Sequence, residues 1–110
     1  MLAAIDRQTL LTVARERIVS TLTLRHPEYP PRRPELEIEA GAFVTIHVLR
    51  EGTRHLRGCI GHIESPLPLY DTVRDAAYAA AFRDPRFPPL SEDELGMIEL
   101  EVSVLSRLET

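Results

Sequence analysis

The run Gly41-Ala42-Phe43-Val44-Thr45-Ile46-His47-Val48-Leu49 alternates apolar and polar positions and is rich in β-branched residues. Such a pattern reads as a strand with Val44, Ile46 and Val48 on one face and Phe43, Thr45 and His47 on the other. Arg50-Glu51-Gly52 follows as a turn, and Thr53 to Arg57 returns as a second strand. A hairpin with one apolar face needs cover, so the rest of the chain must supply it.

Two segments have the right spacing. Leu10, Leu11, Ala14, Ile18 and Leu22 repeat as one helix face, which predicts a helix from residue 7 to 23. Asp6 is suited to be its N-cap, with Ile5 and Leu10 as a hydrophobic staple. Leu69, Val73, Ala76, Ala77 and Ala80 form a second stripe, small enough for close packing on a sheet. That helix starts around Ser65-Pro66-Leu67-Pro68 and ends near Phe82-Arg83, because the residue before Pro85 resists helical geometry. Pro27, Pro30, Pro31 and Pro34 make the intervening segment an extended connector. Ser91-Glu92-Asp93-Glu94 has capping-box spacing and predicts a short helical turn. Met97 to Val104 alternates again, with Ile98, Leu100, Val102 and Val104 expected to pack on the helix bearing Leu69, Val73 and Ala77. The order helix, hairpin, helix, strand predicts an α+β fold: a mainly antiparallel sheet with helices packed on it.

A chain of 110 residues holds at most one domain. Its net charge of −4 argues against a protein that coats nucleic acid. All 13 cations are Arg, which codon bias explains, and no Lys is present for a Schiff base or a phosphate loop. Cys59 is the only cysteine, so no disulfide framework exists, and a free thiol fits a reducing cytoplasm. No stretch approaches membrane-spanning length, and Asp6 interrupts the N-terminus before a signal-like apolar run forms.

Chemistry is concentrated in Leu56-Arg57-Gly58-Cys59-Ile60-Gly61. Glycines on both sides of a thiol permit a tight turn or a close approach, and a neighbouring cation favours the reactive thiolate. As an enzyme site, Cys59 is the nucleophile, His62 the acid or base, and Arg57 the group that orients an anion. Gly58, Ile60, Gly61, Asp84 and Arg86 are candidate ligand-binding residues, with Asp84 also a candidate general base. The bland alternatives are a buried inert thiol, a bulge at the glycines, an Arg57 ion pair with a glutamate on the adjacent strand, and a loop closed by Asp84-Pro85-Arg86-Phe87. Cys59, His47, His55 and His62 match no strong metal spacing, so neither a metal nor a cofactor is expected.

Four segments in order carry a resemblance: Gly41 to Thr45, the hexapeptide, Ala79-Ala80-Ala81-Phe82 with Asp84-Pro85-Arg86-Phe87, and Leu100-Glu101-Val102-Ser103-Val104-Leu105. Together they resemble the AMMECR domain family, whose hallmark is the hexapeptide. The resemblance implies a cytosolic or nuclear α+β protein with an active-site groove near the hexapeptide. It also implies a pathway shared with a Memo-like protein and a radical SAM protein. The family domain runs on beyond the strand ending near Val104, so residues 1–110 are expected to be a single, C-terminally incomplete domain. The functions it leaves open are a cysteine-containing enzyme acting on a small molecule or modifying a protein, and a non-catalytic module that binds protein or nucleic acid.

Overall fold

The computed structural model describes residues 2–105. Helix α1 spans Ala4–Thr23 and buries Leu10, Val13, Ala14 and Ile18. It begins earlier than the sequence predicts because Asp6 acts inside the first turn. Its Oδ2 accepts the Ala3 N–H at 3.2 Å, and its Oδ1 accepts Arg33 Nε at 2.6 Å. Asp6 is thus buried and ties the connector to the helix start. Ile5 is exposed, so the expected staple with Leu10 does not form. The proline-rich connector contains one 3-10 turn, Pro34–Leu36, which drops Leu36 into the core.

Strands β1 (Gly41–Arg50) and β2 (Thr53–His62) form the hairpin. The turn residues Glu51 and Gly52 have φ of 53° and 77°. Positive φ at both central positions is the two-residue turn whose twist matches that of the paired strands. Helix α2 covers Leu69–Phe82. A 3-10 turn, Glu92–Met97, leads into β3, Ile98–Leu105. The sheet is antiparallel, in the order β2-β1-β3, and the fold is α+β as expected.

The sheet has two different faces. Ala42, Val44, Ile46 and Val48 of β1 are buried on the inner face, in one core with α1 and α2. Helix α2 lies over β1 and β2, and α1 reaches β3. This corrects the expectation that β3 packs mainly on α2: β3 lies at the sheet edge and packs chiefly against α1, with Ile98 in the core that both helices share. Leu100, Val102 and Val104 are accordingly only half-buried. The outer face carries Phe43, Thr45 and His47, flanked by Cys59 and Gly61 on β2 and by Glu99, Glu101 and Ser103 on β3. None of these outer-face residues is fully buried.

Candidate functional site

Strand β2 runs past the expected end at Arg57 and carries the whole hexapeptide. Its glycines have no positive φ; what they provide is room. A Cβ on Gly58 would stand 2.1 Å from the Ala80 carbonyl oxygen, where α2 crosses the strand. A Cβ on Gly61 would meet the Ala42 oxygen at 2.1 Å and the Phe43 ring at 2.7 Å.

The pairing slips at Arg57. Ile46 faces Gly58 and His47 faces Leu56, so Arg57 is the extra residue of a β-bulge. The bulge turns this cation inward, where it is 8% exposed. Its Nε donates to Glu94 Oε2 at 2.7 Å, and its Nη2 donates to Glu94 Oε1 at 3.0 Å and to the Pro89 oxygen at 3.2 Å. The partner is therefore a glutamate of the 3-10 turn, not one on the adjacent strand. Glu94 also accepts the Ser91 N–H at 3.0 Å, which closes its own turn. The Arg57 guanidinium and, less strongly, the Ser91 bonds hold the Glu94 carboxyl below its ordinary range.

Cys59 and Thr45 face each other across β1 and β2, with Sγ 3.3 Å from Thr45 Oγ1. The main-chain groups of Cys59 point away from β1. Its N–H donates to Asp84 Oδ2 at 3.0 Å, and its carbonyl accepts Arg86 Nη2 at 3.3 Å. Asp84 and Arg86 are themselves paired at 3.0 and 2.8 Å, and Asp84 Oδ1 takes the Arg86 N–H at 3.0 Å. The loop after α2 thus stands where a fourth strand would pair and covers one point of an open edge. Asp84 is buried, and Arg86 above all holds its carboxyl far below the usual range. Such a carboxylate is suited to holding a main chain in place and is a weak proton acceptor.

The structure brings Cys59, Asp84 and Arg86 together and separates the other candidates. His62 is three residues from Cys59 along an extended strand, so the two side chains leave opposite faces. His62 is exposed at the strand end, opposite Ala42. Ile60 is on the inner face, packed against the core. The histidine that shares the face of Cys59 is His47, opposite Glu99 on β3. Among the described residues, no three His, Cys, Asp or Glu side chains gather as a metal site. The residue that sequence reasoning missed is Glu94. Its capping-box spacing marked it as a local cap and gave no sign of Arg57.

Fold and site together define a three-stranded α+β domain in which an ion pair from a loop grips a cysteine on an edge strand. The chain belongs to the AMMECR1 family, whose model matches residues 11–110. It is 44% identical over 103 residues to a protein of Sulfolobus acidocaldarius, an overlap of 91% of this chain and 44% of the relative. A protein of Thermofilum pendens is 40% identical over 116 residues, covering 98% of this chain and 54% of the relative. The crystal structure of an uncharacterised protein from Pyrococcus horikoshii superposes with a TM-score of 0.83 at 35% identity, over 96% of this chain and 53% of that one. The chain therefore spans about half the length of these relatives. No helix among the described residues is long and apolar enough to cross a membrane.

Proposed function

We propose that this chain supplies a cysteine-centred site, on the outer face of its sheet, that acts on a small molecule or modifies a protein group. The observation that carries this reading is the double hold on Cys59. Asp84 takes its N–H and Arg86 its carbonyl, while the thiol is left half-buried beside a hydroxyl on a face that no helix of the described residues covers. Holding a reacting group by rigid neighbours is what a productive geometry requires. In this reading Cys59 is the nucleophile and His47, two residues from its partner Thr45 on the same face, is the acid or base. Arg86 is the nearby cation, and Arg57 and Asp84 position the strand. A metabolite-retention screen by mass spectrometry on the chain and on Cys59→Ser tests it. A small molecule or adduct kept by the parent and lost from Cys59→Ser supports the site; an identical set on both contradicts it.

The second reading is a non-catalytic interaction module. It is favoured by an apolar groove of about 1120 Å³ between α1 and β3, lined by Leu10, Leu11, Ile38, Leu100, Val102 and Val104. The β3 edge beside it has no strand partner among the described residues. A protein partner fits this surface better than nucleic acid, because Glu99 and Glu101 make the adjoining face acidic. Partners of the Memo-like and radical SAM type belong to this reading. Their binding should survive Cys59→Ser.

A further inference from the structure

A second cleft, of about 930 Å³, opens on the other side of the bulge. Its walls include Val48, Leu56, Phe87 and Pro88, and neither Cys59 nor His62 lines it. The titratable groups around it are Arg50, Glu51, His55, Arg57 and Glu94. Arg57 is the unusual member. Its Nε and Nη2 are fully engaged by Glu94 and Pro89, whereas Nη1 has no partner among the described residues. No enclosed side-chain nitrogen or oxygen among those residues lacks a hydrogen bond. Nη1 must therefore be reached by solvent, although its side chain is only 9% exposed. Arg57 itself lines the cleft.

Nη1 is thus the one donor nitrogen of this nine-tenths-buried cation left without a protein partner among the described residues. Arg50, 3.8 Å from Glu94 Oε2 and largely exposed, adds a second guanidinium at the rim. Arg50 and Arg57 against Glu94 and Glu51 leave the cleft close to neutral, which suits a singly charged guest better than a dianion. The apolar walls beside the donors suit a guest with a hydrocarbon body.

We propose that this cleft binds a small carboxylate with an apolar or aromatic body, its carboxylate on Arg57 Nη1 and Arg50 and its body against Phe87, Pro88 and Leu56. The site is independent of the thiol chemistry. It goes beyond the cysteine-centred reading, in which Arg57 only positions the strand. Removing one partner of the Arg57–Glu94 pair would leave the other charge buried and uncompensated, so the test leaves the pair intact. The full 110-residue chain is titrated with phenylacetate, phenylacetamide and inorganic phosphate, followed by 1H–15N spectra that include the arginine Nε–H resonances. Support is saturable shifts from phenylacetate at Arg57 Nε–H, Phe87 and Ser91, with binding about tenfold weaker in Arg50→Gln, as expected for loss of one charge-assisted contact. Equal shifts from phenylacetamide, saturation by phosphate alone, shifts outside the cleft, or no saturable shift would each overturn it. His26→Gln, an exposed residue outside the cleft, is the control: unchanged affinity there supports the assignment to the two arginines, and an equal loss would overturn it.

Discussion

Asp84 and Cys59 are 25 residues apart, yet the buried carboxylate of one holds the main-chain N–H of the other at 3.0 Å. Arg86 completes the hold at the Cys59 carbonyl. Removing the carboxylate strands that N–H and leaves Arg86 to solvent. Asp84→Ala should therefore cost about 2 kcal/mol, the usual scale for hydrogen bonds to a charged group. A fall in the urea midpoint with an unchanged slope checks this, and Arg86→Gln, at an exposed side chain, should cost less.

The same carboxylate shapes the acid limb of stability. Its affinity for a proton is lower in the folded chain, chiefly because of Arg86. Below about pH 4 the unfolded chain then binds more protons than the folded one. The contribution of Asp84 is complete above that range and is lost as pH falls toward the folded-state value. Glu94, lowered by Arg57, adds in the same direction. Urea midpoints should decline from about pH 5 to about pH 3, and the decline should be shallower in Asp84→Asn than in the parent.

Gly58 is needed for space. Gly58→Ala puts a methyl group 2.1 Å from the Ala80 carbonyl oxygen, which only a shift of α2 can relieve. The expected loss is about 3 kcal/mol, at the upper end for overpacking. Gly96→Ala, with nothing within 4 Å, is the control and should be close to neutral.

Central and edge strands should respond differently to the same change. Val44 is fully buried on β1, whereas Val102 on β3 is half-buried beneath α1. Val44→Ala should cost about 2.5 kcal/mol and Val102→Ala about 1 kcal/mol by denaturant titration. Equal costs would mean that β3 is covered as deeply as β1.

The strands and both helices could be read from the sequence because alternation and helical spacing are local patterns with one dominant face each. The hexapeptide was harder to place. Two glycines around a thiol suggest a turn, but their reason is the approach of Ala80 and Phe43, which no local pattern reveals. The Arg57–Glu94 pair spans 37 residues and depends on a bulge that turns Arg57 inward. Within the expected site, Cys59 and His62 look adjacent in the chain, yet an odd offset in a strand separates them, while His47 reaches the same face through pairing. The packing of β3 could not be read either, since its alternation marks an inner face without saying which helix covers it.

The most direct test is the rate at which iodoacetamide modifies Cys59 in the folded chain, set against the rate in the urea-unfolded chain at the same pH. A thiol held on an open sheet face should react without unfolding, within about tenfold of the unfolded rate, since access then limits it little. Asp84→Ala, which releases the strand, should move that ratio toward one. A Cys59 that stays unmodified until the chain unfolds would contradict the site, and the cysteine would then be a small structural residue of β2.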